Sequence, residues 1–102
     1  MKFVLNNAKG KNIIDLMRKV GYYYLSKKGN QLSFIRPLER SGYPRFHIYL
    51  QEEENNDLIF NLHLDQRKPV YKFSSAHNAD YEGEVLEREK ERIKMILEKE
   101  IV

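Results

Sequence analysis

Cysteine is missing from this sequence of 102 residues. The chain can therefore form no disulfide, and it offers no thiolate as a nucleophile or a metal ligand. Small secreted domains commonly depend on disulfides, so we expect a protein of the reducing cytoplasm. Proline and glycine are few, at three and five residues. This composition is typical of a folded globular domain and excludes collagen-like chains and Pro/Gly-rich disordered chains.

Long apolar runs are also missing. Residues 1–11 have neither the apolar stretch nor the small-residue cleavage site of a secretory signal. We therefore expect no membrane span and no membrane partner. A chain of this length can build one hydrophobic core but not two, which predicts a single domain over residues 1–102.

Negative charge is scarce in the first half of the chain. Residues 1–50 contain ten lysines and arginines but only Asp15 and Glu39, for a net charge of +8, whereas residues 51–102 carry a net charge of −5. The basic half could face a polyanion. Alternatively, the two halves could neutralise each other within the fold or across a homodimer. The sequence leaves both explanations open.

The spacing of apolar residues predicts a short helix near the N-terminus. The residues before it, Lys2–Leu5, could form a short leading strand or an ordered arm. Asn12 is a typical N-cap for this helix, and Gly21 is a typical residue to end it. The apolar residues that share one helix face are Ile13, Leu16, Met17 and Val20.

Four further segments are typical of β-strands. Residues 22–25 and 32–36 flank a Lys-Lys-Gly-Asn turn, which predicts a hairpin. Residues 45–51 and 58–65 alternate apolar and polar side chains, which predicts a second hairpin with one buried face. The apolar faces of these two strands lie on the same side of the sheet only if each pair joins two even-numbered or two odd-numbered residues. With Asn56 left-handed in the turn, the predicted pairs are Ile48 with Leu62, Leu50 with Phe60, His47 with His63 and Tyr49 with Asn61.

The last third of the chain predicts a long connection followed by a helix. Residues 66–80 show no periodicity and include a candidate short strand at 70–73. From about Gly83 onward, glutamates alternate with lysines and arginines around an apolar stripe made of Leu86, Ile93, Ile96, Leu97 and Ile101. Together the segments predict an α+β fold, in which two helices pack on one face of an antiparallel sheet of three to four strands.

The sequence LMRKVGY at residues 16–22, followed by KKGNQLSF at residues 27–34, resembles the HicA-type toxins. These are small mRNA interferases with a double-stranded-RNA-binding-domain-like fold. The resemblance covers roughly residues 12–50, and it implies the same arrangement and an affinity for the RNA backbone. The family has a serine and the catalytic histidine where this chain has Asn30 and Gln31. The resemblance therefore does not extend to the family's ribonuclease chemistry.

Cations and tyrosines are interleaved through the basic half of the chain. Lysine and arginine neutralise phosphates, and tyrosine can stack on bases. We therefore predict that this half binds RNA or another polyanion. The candidate contact residues are Lys27, Lys28, Arg36, Arg40, Arg45, Tyr22, Tyr23 and Tyr24. The alternative is that the tyrosines belong to the core and the cations are simply solvated.

Histidine and aspartate form a second candidate site. In the predicted second hairpin, His63 and Asp65 share a face, His47 lies opposite His63, and His77 could approach from the long connection. Imidazole and carboxylate are typical ligands of a divalent metal when cysteine is missing, so the candidate ligands are His47, His63, Asp65 and His77. The same face could instead perform acid–base hydrolysis, with His63, Asp65 and His77 as catalytic residues. A polar sheet face with no catalytic role is the third explanation.

Established catalytic motifs are missing: the chain has no glycine-rich phosphate loop, no Gly-x-Ser-x-Gly elbow and no His-Glu-x-x-His helix. We therefore favour a small RNA- or polyanion-binding domain over an enzyme. One alternative is a small hydrolase, such as a nuclease, that uses the histidine face. The other is an adaptor that binds proteins and has no catalytic site.

Overall fold

A computed structural model describes residues 1–6, 8, 10–66 and 75–101, with side chains from residue 82 onward in the last range. The elements are β1 (Lys2–Leu5), α1 (Ile13–Lys19), β2 (Tyr23–Lys28), β3 (Gln31–Pro37), β4 (Arg45–Glu52), β5 (Leu58–Asp65) and α2 (Ser75–Ile101). Within these residues the strands form a five-stranded antiparallel sheet in the order β1-β5-β4-β3-β2. The α+β class predicted from the sequence is therefore confirmed.

The sheet has one strand more than the predicted three to four, because β1 joins its edge. Lys2 of β1 pairs with Asn61 of β5. Next to this pair, the ring of Phe3 stacks on Phe60 with their centroids 4.7 Å apart. A strand of four residues is too short for its alternation to be distinctive, and its partner lies far away in the sequence. Tertiary pairing alone reveals that this segment extends the sheet.

The hydrophobic core lies on one face of the sheet. The buried strand residues on this face are Phe3, Leu5, Phe34, Phe46, Ile48, Leu50, Leu58, Phe60 and Leu62. Helix α1 adds Leu16 and Met17, Val20 follows at its C-cap, and α2 adds Ile93 and Leu97. Full burial of one such side chain contributes about 1.5–3 kcal/mol. Both helices therefore cover the same face, as the sequence predicts, and the opposite face carries the polar side chains of the strands.

The register of the second hairpin agrees with the prediction. All four predicted pairs occur between β4 and β5, including His47 with His63 and Tyr49 with Asn61. Asn56 has a φ of 71°, the left-handed conformation expected in the turn. Burial alternates along both strands, so a shift of the register by one residue would move the apolar side chains of one strand out of the core. This register turns the polar side chains of both strands to the opposite face of the sheet.

Helix α1 begins and ends as the sequence predicts. The side chain of Asn12 accepts a hydrogen bond of 3.0 Å from the backbone N–H of Asp15. Gly21 has a φ of 97° and follows the last turn. The chain then leads directly into Tyr22 and β2.

Helix α2 begins at Ser75, about eight residues earlier than predicted. Gly83 does not interrupt it, because a glycine inside a helix costs only about 1 kcal/mol relative to alanine. His77 therefore lies in this helix and not in a long connection, and its side chain is outside the described residues. The candidate strand at 70–73 is also outside them. In the described part of the chain, no helix is long and apolar enough to cross a membrane.

Candidate functional site

The polar face of the sheet brings a serine, a histidine and an aspartate together. Ser33 Oγ lies 2.7 Å from His47 Nε2. On the other side of the imidazole, His47 Nδ1 lies 3.2 Å from Asp65 Oδ2. The three side chains come from the neighbouring strands β3, β4 and β5. We refer to Ser33, His47 and Asp65 as the relay.

The strand register explains why these three residues meet. Ser33 is paired with Tyr49, so His47 is its diagonal neighbour on β4. His47 is paired with His63, so Asp65 is its diagonal neighbour on β5. Diagonal neighbours on one face have their backbones about 7–8 Å apart, a distance that an imidazole can bridge. The relay therefore crosses the sheet obliquely, with His47 in its middle.

The carboxylate decides which nitrogen of His47 carries the proton. An ionised Asp65 can only accept a hydrogen bond, so Nδ1 of a neutral His47 must donate to it. Nε2 then has a lone pair and accepts the hydroxyl proton of Ser33. The side chain of His47 is only 13% exposed, whereas that of Asp65 is 34% exposed. This arrangement holds the imidazole as a base directed at a serine hydroxyl.

Arg45 provides a second contact to the carboxylate of the relay. Its Nε lies 3.6 Å from Asp65 Oδ2. The guanidinium also lies over the ring of Tyr43, 4.5 Å from the ring centroid. Asp65 therefore lies between an arginine and a histidine.

Ser33 and His47 open into a pocket of about 280 Å³. Its walls are formed by Leu25, Ser26, Lys28, Gln31, Ser33, His47 and Tyr49. The register of β2 with β3 shifts between Tyr24 and Ser26, which makes Leu25 the extra residue of a β-bulge. Bulges redirect side chains and are common beside binding sites. The pocket therefore combines a hydroxyl, a base, a cation and one apolar side chain.

His63 is not part of the relay. The ring of Tyr49 packs against both paired imidazoles, with its centroid 4.4 Å from that of His47 and 5.9 Å from that of His63. Burial lowers the pKa of His63; the Met1 ammonium and His47 act in the same direction, and Asp65 opposes them. The side chain of His77 lies outside the described residues. The imidazole that bonds to Asp65 is therefore that of His47.

The metal-ligand prediction for His47, His63, Asp65 and His77 gains no support from the described side chains. Among them, no group of three or more histidines, aspartates or glutamates is placed to hold a metal ion. His77 cannot be included in that comparison.

The predicted polyanion-binding residues lie at two opposite ends of the sheet. Lys27 and Lys28 are exposed at the β2–β3 turn, and this turn shares a cleft with the acidic residues 52–54. At the other end, Arg45 contacts Asp65 and Arg40 is exposed in the loop after β3. The cations therefore do not form one continuous basic patch.

Several residues of this predicted set are engaged inside the protein. Tyr22 is buried and donates a hydrogen bond of 2.6 Å to Glu89 Oε2. Arg36 Nη1 binds the other oxygen of Glu89 at 3.2 Å. Tyr24 packs edge-on against Phe34, although its ring stays partly exposed. Tyr22 therefore cannot reach a nucleic acid in this fold, and Arg36 is only partly available.

Ser33 is a site residue that the sequence pattern did not identify. Its position next to the core residue Phe34 places it on the opposite, polar face of β3, but local alternation does not give the register between β3 and β4. The signal that could have identified Ser33 is the rule that even-numbered residues pair with even-numbered ones and odd-numbered residues with odd-numbered ones. Applied to β3 and β4 in the same way as to β4 and β5, it allows a register in which Ser33 lies opposite Tyr49 and diagonal to His47.

The chain matches no protein-family model, no curated protein and no solved structure. The resemblance to HicA-type toxins therefore stays a prediction.

Proposed function

We propose that this protein is a small hydrolase in which His47 acts as a general base. The observation that carries the proposal is the position of His47 between the hydroxyl of Ser33, at 2.7 Å, and the carboxylate of Asp65, at 3.2 Å. An imidazole can exchange protons near neutral pH, and a carboxylate behind it orients the ring. The proposal changes the predicted hydrolase site, because His47 replaces His63 as the partner of Asp65.

The pocket supplies the other groups that hydrolysis requires. Lys28 and Gln31 present N–H donors that can stabilise negative charge developing on a substrate oxygen. The partial burial of His47 strengthens its electrostatic interactions, because less water screens them. Leu25 provides an apolar surface for the non-reacting part of the substrate. These features support a site that binds a small molecule or a single side group of a larger one.

Hydrolysis of chromogenic substrates tests the proposal. The purified protein would be assayed against p-nitrophenyl acetate, p-nitrophenyl butyrate and bis(p-nitrophenyl) phosphate, beside the variant His47→Gln. We expect the variant to lose about 10²- to 10⁴-fold in rate on the substrate that is cleaved. Thermal unfolding followed by circular dichroism verifies that the variant is folded.

The variant His63→Gln separates the two assignments of the base. His63 lies on the same face of the sheet but outside the relay, so the proposal expects most of the activity to remain. Loss of activity in His63→Gln with full activity in His47→Gln would overturn the assignment. The proposal is also wrong if the folded wild-type protein cleaves none of the three substrates above the rate of buffer.

We propose RNA or polyanion binding as a second candidate function, together with the double-stranded-RNA-binding-like arrangement that the resemblance implies. The observation that favours it is the exposure of Lys27 and Lys28, neither of which has an ion-pair partner among the described residues. Unpaired lysines at a turn can contact phosphates and release counterions. The dependence of RNA affinity on salt, with and without these two lysines, tests this function.

A further inference from the structure

Ser33 is placed to do more than hold the imidazole in position. We infer that Ser33 is a nucleophile that forms a covalent acyl intermediate, and that the substrate is a small carboxylic ester with an apolar acyl group. The inference rests on the proposed hydrolase function, and it names both the nucleophile and the substrate class. The experiments below can therefore disprove the covalent mechanism while the hydrolase function remains.

The hydrogen bond between Ser33 and His47 has the direction that nucleophilic catalysis needs. Because Asp65 accepts a hydrogen bond from Nδ1–H of His47, the Ser33 hydroxyl donates to Nε2 over 2.7 Å. A serine hydroxyl is a weak nucleophile by itself, and an adjacent base activates it. The base is in turn oriented by a third group, so the relay has the roles of a serine hydrolase triad without its usual sequence motif.

The two reacting groups lie in the wall of the pocket, where Ser33 is 9% exposed and the side chain of His47 is 13% exposed. Ser33 and His47 line it, whereas Asp65 is outside the pocket lining and contacts the far side of the imidazole. Asp65 is therefore a positioning residue, and Ser33 and His47 are the catalytic residues. A volume of about 280 Å³ fits a short acyl ester better than a polymer segment.

The walls of the pocket point to the substrate class. Leu25, which the bulge brings to the pocket, is 47% exposed and offers an apolar contact for the acyl chain. Side chains that line the pocket can supply donors for a carbonyl oxygen. Lys28 and Gln31 can fill that role. An ester carbonyl, an apolar acyl chain and a serine hydroxyl are thus matched in one pocket.

The reaction balances with water as the only co-reactant. Ser33 Oγ attacks the carbonyl carbon while its proton passes to His47 Nε2. The C–O bond to the alcohol then breaks, and the alcohol leaves with the proton from Nε2. A water molecule next attacks the acyl-Ser33 ester and gives a proton to Nε2. Ser33 departs with that proton, and the products are one carboxylic acid and one alcohol.

A fluorophosphonate probe tests the nucleophile directly. An activated serine displaces fluoride from the probe, forms an O–P bond and releases its proton to the base. We expect intact-mass spectrometry to show one adduct per chain. After trypsin, the adduct should lie on the peptide of residues 29–40, in which Ser33 is the only serine. The neighbouring pocket residue Ser26 falls on a different tryptic peptide, so the two serines are distinguished.

Variants connect the adduct to the relay. Ser33→Ala should abolish labelling, and His47→Gln should slow it about 10²- to 10⁴-fold. Ser41→Ala makes the same chemical change in the exposed loop after β3 and should label at the wild-type rate. Labelling on Ser26, equal labelling rates in wild type and His47→Gln, or no adduct on the folded wild-type protein would each overturn the inference.

Ester hydrolysis separates this inference from the proposed function. If Ser33→Ala keeps the wild-type rate on p-nitrophenyl butyrate while His47→Gln loses it, His47 activates water directly. In that case the hydrolase function stands and the covalent mechanism is wrong. If Ser33→Ala and His47→Gln both lose the activity and wild type carries the adduct on Ser33, the inference is supported.

Discussion

At the scale of single residues, the site depends on which side chain faces which atom of His47. The two ring nitrogens have different roles, because Nε2 accepts a hydrogen bond from Ser33 and Nδ1 donates one to Asp65. His63 is directly opposite His47 in the sheet, yet neither hydrogen bond of the relay involves it. Direct pairing and functional contact are therefore different things on this face.

Replacement of Asp65 by asparagine tests its role as a positioning residue. We expect Asp65→Asn to lower ester hydrolysis about 10²- to 10⁴-fold, because the amide can donate to Nδ1 and so favours the tautomer with the proton on Nε2. Nitrogen-15 NMR of the imidazole would show that change of tautomer. Asp15→Asn, an exposed carboxylate on α1, is the matched control. An unchanged tautomer with unchanged activity would contradict the role.

Because of its environment, we expect His63 to titrate at a lower pH than an ordinary histidine. Because burial lowers the pKa of His63, with the Met1 ammonium acting in the same direction, we expect an NMR midpoint below the ordinary value of 6.5. Acetylation of the N-terminus should raise that midpoint. The unfolded state then binds this proton more readily, so the contribution of His63 to stability is present above about pH 6.5 and is lost as the pH falls. A midpoint at or above 6.5 would contradict this account.

At the scale of elements, a buried carboxylate on α2 connects that helix to Tyr22, just before β2, and to Arg36 of β3. Glu89 is 4% exposed and accepts hydrogen bonds from Tyr22, Arg36 and Arg92. Arg92 also donates to the backbone oxygen of Val20 at the end of α1, over 2.7 Å. Burial raises the pKa of Tyr22 far above its ordinary value, and the Glu89 carboxylate adds to that effect. The network orients α2 on the sheet.

We expect removal of the Glu89 carboxylate to lower the stability of the fold strongly. Glu89→Ala leaves two arginines and a buried tyrosine without their shared acceptor, so we expect the free energy of unfolding to fall by about 3–5 kcal/mol. The exposed Glu91 lies two residues away on the same helix, and Glu91→Ala should change stability by less than about 0.5 kcal/mol. Urea unfolding at pH 7 measures both. Equal effects of the two substitutions would show that the network does not stabilise the fold.

At the scale of the whole molecule, the basic and acidic halves of the chain neutralise each other in part by packing together. Lys19 binds Glu100 at 2.6 Å, Arg36 binds Glu89 at 3.2 Å, and Arg45 lies 3.6 Å from Asp65. Each of these ion pairs joins a cation of residues 1–50 to a carboxylate of residues 51–102. The asymmetry of the sequence therefore has an internal explanation, and it is weaker evidence for a polyanion than the sequence alone suggested.

Polyanion binding through the β2–β3 turn still makes a measurable prediction. We expect the affinity for a short RNA to fall with salt. The double variant Lys27→Ala/Lys28→Ala should reduce the slope of log affinity against log salt by about one for each phosphate that these lysines neutralise. Fluorescence anisotropy across a salt series measures the slope. Lys94→Ala/Lys99→Ala on α2 is the matched control. Lack of binding at low salt, or equal slopes for both double variants, would rule out this second function.

Local patterns in the sequence determined most of the elements of this fold. The helical spacing with the Asn12 cap predicted α1. Strict alternation in β4 and β5 excluded a shift by one residue, which would turn the apolar side chains to solvent, and the turn with a left-handed Asn56 selected the register among the rest. Segments without strong local periodicity were not determined in this way. The four residues of β1 were a candidate strand in the sequence, but only the assembled structure placed them at the edge of the sheet. The first two turns of α2 emerged only from the structure.

The candidate site could be predicted in part. Alternation alone placed His47 and Asp65 on the polar face, so two members of the relay were identified from the sequence. Only the tertiary structure decided that Asp65 bonds to His47 and that Ser33 completes the relay. The physical reason is that such contacts run diagonally across three strands, so they depend on the registers of both strand pairs and on side-chain rotamers, which no local sequence pattern specifies.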